Sequence, residues 1–233
     1  MRNNLIKTYK EEMNKIKQNS GVNAIFLVGS SKDKDFKKDA KLINDIDLFV
    51  ICDNIESQIR IIKEVDGISF DINYFSKENC KEMVKNREKF FINEIRNAKV
   101  EYDNGGFSQC LIKICEQTYN KGPVKLQNSE KYYIKYELHS TLNKLKNKDN
   151  MSELEYDFLT NLFLKDIIIG YFSINDKWLP KEKKLIKALN KEDIEFYKLI
   201  ENAYKFKGYE ELKKTYLYVF KDDDRETFIK LIY

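Results

Sequence analysis

The 233-residue chain is poor in several residues that usually advertise a function: it has two prolines, one histidine, one tryptophan and four cysteines. It also lacks any apolar run near the roughly 18 residues that mark a membrane helix. Each shortage closes off a class. No membrane partner is expected, and the charged opening MRNNLIKTYKEEMNK lacks the apolar centre of a signal peptide, so the expected location is the cytoplasm. Cys52, Cys80, Cys110 and Cys115 form neither a CxxC pair nor a zinc-ligand spacing, and are expected to be reduced and structural. The single histidine, His139, has no nucleophile near it in the pattern and is expected to be a surface or capping residue. One charge sign is not in excess either: 42 basic residues against 38 acidic ones leave a net +4. The balance is 19 to 18 through Gly106 and 23 to 20 after it, so neither half presents a strongly basic surface. Long nucleic acids are therefore disfavoured as partners, because phosphate-backbone binding draws on clustered Lys and Arg. Small substrates fit better.

What is present is 42% apolar and 34% charged residues, without an internal repeat, a low-complexity tract or a flexible linker. That describes a folded chain with a sizeable core. Through Gly105-Gly106, short apolar runs alternate with loops: NAIFLVG, DIDLFVI, then SQIRIIKEV and ISFDINYF joined by Asp66-Gly67, a strong hairpin signal. Leu5, Tyr9, Met13 and Ile16 fall at helical spacing, residues 77–98 read as one charged amphipathic helix after Ser76, and VEYD at 100–103 as a last strand. After Gly106 the pattern is helical, with segments near 107–120, 129–147, 152–173, 181–190, 192–206 and 209–221. Ser152 to Glu155 forms a capping box, and Pro180 stands where a helix would begin. The expected class is α+β: an N-terminal mixed sheet with flanking helices over 1–105, then a helical bundle over 106–233, the two packing to leave a cleft at their junction. The oligomeric state is left open by the pattern.

The segment FLVGSSKDKDFKKDAKLINDIDLFVI carries the chemistry. In a strand the side-chain period is two, so Asp45 and Asp47 project from one face while Ile46 and Leu48 point into the core. Two adjacent carboxylates on an apolar strand repel one another and call for a positive partner. Asp71 alternates with Phe70 and Ile72 in ISFDINYF, so a neighbouring strand can bring a third carboxylate beside the first two. Hard oxygen ligands in this number suit magnesium, which usually keeps waters and bridges to substrate phosphates. Gly29 and Ser30 supply the other half, because glycine permits close backbone approach, and amides and hydroxyls at a helix entry cradle phosphate oxygens.

Apolar-Gly-Ser, a charged 14-residue spacer, Asp-x-Asp in an apolar strand and a lone Asp on a later strand resemble the nucleotidyltransferase fold of the DNA polymerase beta superfamily. The helical half is similar to bacterial antibiotic nucleotidyltransferases of the aminoglycoside and lincosamide type. The resemblance implies transfer of a nucleoside monophosphate, AMP from ATP by family analogy, to a hydroxyl of a small acceptor, with release of pyrophosphate. It implies two magnesium ions held by Asp45, Asp47 and Asp71, with Asp71 or another carboxylate taking the acceptor's proton. Gly29, Ser30 and Ser31 would hold the nucleotide phosphates, joined by Lys183 from the segment KWLPKEKK. Two alternatives stay open: a protein adenylyltransferase like the antitoxins that modify a partner toxin, and a nucleotide-binding regulatory module without turnover. Trp178 is read as stacking on a base or packing in a core. Asp166, set among Leu162, Phe163, Ile169 and Gly170 at helical spacing, either meets a lysine or lines an acceptor pocket, with Glu137 as a second acid for it.

Overall fold

The computed structural model of the protein describes residues 5–221; residues 1–4 and 222–233, the ends of the two expected domains, lie outside the described residues. The architecture is α+β: a five-stranded mixed sheet with flanking helices, followed by a helical region. By their contacts the residues form two compact units, Met1–Gly122 and Pro123–Tyr233.

In the first unit, helix α1 (Leu5–Lys17) precedes strands β1 (Val22–Val28), β2 (Asp45–Cys52), β3 (Ile59–Val65) and β4 (Ile68–Phe75). Helices α2 (Lys77–Lys85) and α3 (Lys89–Arg96), strand β5 (Lys99–Asp103) and helix α4 (Phe107–Asn120) complete it. The strand order is β3-β4-β2-β1-β5, and β2 runs parallel to β4 while every other pair is antiparallel. All seven residues of β1 are buried, as a central strand covered on both faces requires. One face packs on α1, whose Leu5, Tyr9, Met13 and Ile16 meet Ile25, Leu27, Ile46, Leu48, Phe70 and Ile72. On the other face Phe49, Phe75 and Phe91 form a ring cluster, with Phe49 and Phe75 centroids 5.0 Å apart and Phe75 and Phe91 5.2 Å apart. The α1 stripe also carries Glu12, which is 1% exposed and ion-paired to Lys63 of β3 and, at 2.6 Å, to Lys15.

The second unit contains α5 (Asn128–Lys146), α6 (Glu153–Ile174), α7 (Leu185–Glu192), α8 (Ile194–Phe206) and α9 (Tyr209–Phe220). Helix α6 is the spine, burying Phe163, Leu164, Ile167, Ile168 and Phe172, and Gly170 leaves room for Leu138 and Ile134 of α5. The capping box at Ser152 and Glu155 forms as its spacing indicates. Asp193 caps α8 by accepting from the Phe196 amide at 3.0 Å, and also accepts from the hydroxyls of Tyr171 and Tyr218 at 3.0 Å. Burial alone would raise the Asp193 carboxyl, but these donors outweigh it and hold the carboxyl below its ordinary range.

Several expectations need correction. Residues 77–98 are two helices, broken where Arg87 adopts φ +53° and its guanidinium donates to the Gly122 carbonyl at 3.0 Å. Helix α4 packs on α3, β1 and β5, so the division falls after Gly122 where the composition shift placed it after Gly105. Pro180 precedes a single 3-10 turn, Glu182–Lys184, and the helix proper starts at Leu185. The cysteines are free, with Cys52, Cys80 and Cys115 buried and Cys110 exposed. Among the described residues, no helix is long and apolar enough to cross a membrane.

Candidate active site

Strand β2 begins at the two aspartates. Asp45 is exposed and Asp47 half-buried, while Ile46 and Leu48 between and after them are fully buried on the α1 face. The parallel pairing of β2 with β4 sets Asp47 opposite Asp71. Paired residues on adjacent strands share a face, so Asp45, Asp47 and Asp71 rise from the side of the sheet opposite α1. The parallel connection matters here. It places the Asp-bearing ends of two sequence-distant strands together, with the hairpin turn at Asp66 and Gly67 (φ +53° and +74°) bringing the chain back at the required register.

Gly29 closes one side. It follows β1 at the point where Val28 pairs with Asp47, and it has φ +69°. A Cβ built there would lie 1.9 Å from Asp47 Oδ2, so only glycine lets the backbone lie against that carboxylate. The Gly29 amide donates to Glu94 Oε2 of α3 at 3.2 Å, which brings a fourth carboxylate to the same turn. Ser30 is exposed; Ser31 is 1% exposed, and its Oγ has no hydrogen-bond partner. An unsatisfied buried hydroxyl costs about 1–3 kcal/mol.

The expected helix entry after this turn is not there. Residues 31–39 form successive turns, followed by a single 3-10 turn at Ala40–Leu42. The segment has no apolar periodicity to bury, and it supplies its own bonds. Asp35 accepts from the Lys37 amide at 2.8 Å, Asp39 accepts from the Asp35 amide at 2.9 Å, and Phe36 sits edge-on against Tyr9 at 4.8 Å. Any phosphate held at Gly29 and Ser30 thus lacks the partial positive charge of a helix N-terminus.

The positive partner demanded by the carboxylates is Arg60 of β3. Its Nε and terminal nitrogen donate to Asp71 Oδ1 and Oδ2 at 2.9 and 2.7 Å, a bidentate fork. Asn73 donates to Asp71 Oδ1 at 3.2 Å, and Gln58 donates to Asn73 Oδ1 at 3.1 Å. The hydrogen bonds to Asp71, then its charge and, more weakly, that of Asp47 hold the Arg60 guanidinium above its ordinary range. In kind and register, the three aspartates suit a hard divalent ion, and the space a Cβ on Gly29 would need is taken by the Asp47 carboxylate. Both oxygens of Asp71 are nonetheless taken by Arg60, and among the described residues no three His, Cys, Asp or Glu side chains converge as a ligand set.

Gly29, Ser30, Ser31, Asp45, Asp47 and Asp71 thus belong to one region of the first unit. Lys183 belongs to the second unit, exposed in the Glu182–Lys184 turn. Trp178 is half-buried there, and His139 is exposed with its ring nitrogen 3.4 Å from Asn143. Asp166 and Glu137 line one groove of about 250 Å³ together with Tyr133, Phe163 and Ile169. Desolvation raises the Asp166 carboxyl, with Lys165 opposing the shift. Arg60, Glu94, Asn73 and Gln58 are site neighbours that the motif does not contain. Arg60 carries a faint signal, being the one arginine in an apolar alternation beside the Asp71 strand.

No family model matches this chain, and no curated protein does. Among solved structures it is similar to a nucleotidyltransferase-like protein from Exiguobacterium sibiricum 255-15, over 92% of this chain and 72% of that one, at 10% identity and a TM-score of 0.46.

Proposed function

We propose that the protein is a nucleotidyltransferase that moves a nucleoside monophosphate from a triphosphate, with ATP as the reference donor, to a hydroxyl of a small acceptor. The observation that carries this reading is the register of Asp47 with Asp71, with Asp45 on the same face and the Gly29 backbone pressed against Asp47. Asp47 and Asp71 are half-buried like charges in direct register, with Asp45 exposed beside them, and a face carrying three carboxylates against the single Arg60 fork favours a further cation. Magnesium, when bound by these aspartates, would neutralise charge on the phosphates during an in-line displacement. The chain's own groups do the rest. Gly29 would bring its backbone to the phosphate oxygens, the exposed Ser30 hydroxyl would offer them a donor, and Asp71, once released from the Arg60 fork, would take the proton of the attacking hydroxyl.

The test is incubation with α-labelled ATP, magnesium and a panel of hydroxylated acceptors. The panel includes aminoglycosides, because Glu137 and Asp166 line one groove, together with lincosamides, sugars and nucleosides. Pyrophosphate release matched by label on one acceptor, and lost in Asp47→Asn with an unchanged circular dichroism spectrum, is the expected result. Label found only on protein would move the reading to protein adenylylation. No turnover with any triphosphate and acceptor would count against transferase activity.

A further inference from the structure

Arg60 is the cation that the sequence motif does not supply. It stands on the edge strand opposite Asn73, and its side chain reaches one row along to Asp71, whose direct partner on β3 is Ile62. Asp71 is held from two sides, by the Arg60 fork at 2.7 and 2.9 Å and by Asn73 at 3.2 Å. The two partners differ in freedom. Asn73 is buried and fixed by Gln58, whereas the Arg60 side chain is 58% exposed against 23% for Asp71. Arg60 can therefore swing outward without disturbing any core contact, while Asp71 keeps its place.

Taking the transferase reading as its basis, we propose that Arg60 is a resident counter-cation that competes with the divalent ion for Asp71. The guanidinium stays protonated at any working pH, so it leaves by exchange with another cation and not by losing its proton. While the fork is closed, Asp71 is neutralised and only Asp45 and Asp47 remain for an ion. When an ion takes Asp71, like-charge repulsion drives the guanidinium away from it. A released planar fork matches phosphate geometry, so the same side chain becomes a positioning residue for the triphosphate. Arg60 thereby sets the metal affinity of the face and discourages full loading when no anion is present to receive the guanidinium.

The experiment is titration with manganese alone, followed by electron paramagnetic resonance, on the full chain without nucleotide. Arg60→Gln should tighten manganese binding about tenfold, within the 10- to 100-fold range that groups surrounding metal ligands exert. Arg60→Lys, which keeps the charge and loses the fork, should fall between Arg60→Gln and wild type. The gain should vanish in Arg60→Gln combined with Asp71→Asn, because the contested ligand is gone. Unchanged or weaker binding in Arg60→Gln, with binding still lost in Asp47→Asn, would overturn the competition while leaving the metal face intact. No manganese binding in wild type and Arg60→Gln alike would overturn both. Should Arg60→Gln not fold, Arg60→Lys decides by itself, and an affinity equal to wild type would overturn the proposal.

Discussion

The two units place their polar residues differently. In the first, Asp47 and Asp71 rise from strands whose alternate residues are fully buried, and their separation is set by main-chain register. In the second, Lys183, Glu137, Asp166 and His139 are exposed on helices or at a helix start. A helix surface side chain is free to rearrange, whereas a strand side chain beside a Gly29 backbone is fixed from several directions. Chemistry that needs fixed charges is therefore expected in the first unit, and adaptable recognition in the second.

The strongest way to break this contrast is to exchange the carboxylates for amides. Asp47→Asn should lower kcat about a thousandfold, a loss typical of removing a charge-stabilising group, while Asp166→Asn and Glu137→Gln should alter only the apparent acceptor KM. Steady-state kinetics on the three variants checks this, and an equal kcat loss in Asp166→Asn would erase the distinction. Glycine gives the next largest effect. Gly29→Ala forces a Cβ to 1.9 Å from Asp47 at φ +69° and should cost about 2–4 kcal/mol in guanidinium unfolding. Gly170→Ala meets only the Leu138 Cδ1 and Ile134 Cγ2 methyl groups, at 3.2 and 3.3 Å. With the helix-propensity gain of about 1 kcal/mol set against that crowding, it should stay within about 1 kcal/mol of wild type.

The second unit has a fixed point of its own at Asp193, which sharpens the comparison. Asp193→Ala removes a helix cap and strands two tyrosine hydroxyls, and should cost about 2–3 kcal/mol by thermal or denaturant unfolding. Asp193 and Glu12 both have carboxyl groups below their ordinary range; for Glu12, burial pushes upward but the Lys15 and Lys63 hydrogen bonds prevail. A depressed folded value means stability present above the ordinary carboxylate range and lost as pH falls through the folded one. Wild-type stability should therefore decline between about pH 5 and pH 3, and Glu12→Gln should flatten that slope, read from unfolding midpoints across the range. Lys183→Ala is the smallest change. It should move stability by no more than about 0.5 kcal/mol in the same unfolding assay.

Strand alternation made most of the first unit readable: Asp45 and Asp47 against Ile46 and Leu48, Asp71 against Phe70 and Ile72, and the Asp66-Gly67 turn are local patterns. Glu94 was not readable and Arg60 only faintly so, since their partners depend on how β3 pairs with β4 and how α3 lies on the sheet. The break at Arg87 has no glycine or proline to announce it, and the turn-rich segment after Ser31 is organised by Asp35 and Asp39 side chains that any charged helix could also contain. In the second unit the helices were readable from apolar spacing, while which carboxylates share a groove was a matter of tertiary packing.

The parallel pairing of β2 with β4 also sets an order of events during folding. Asp47 and Asp71 cannot meet until the intervening chain has turned back through β3, so the face that bears them closes through a non-local contact. Pairings of that kind form late, because loop-closure entropy must be met before the contact contributes anything. In the second unit α5 with α6, α7 with α8 and α8 with α9 join neighbours in sequence and carry no such delay, while α9 also closes back on α5 and α6. A chain emerging from the ribosome would thus hold its like-charged carboxylates apart until the β3–β4 hairpin, with Arg60 on its edge, is already in place to receive them.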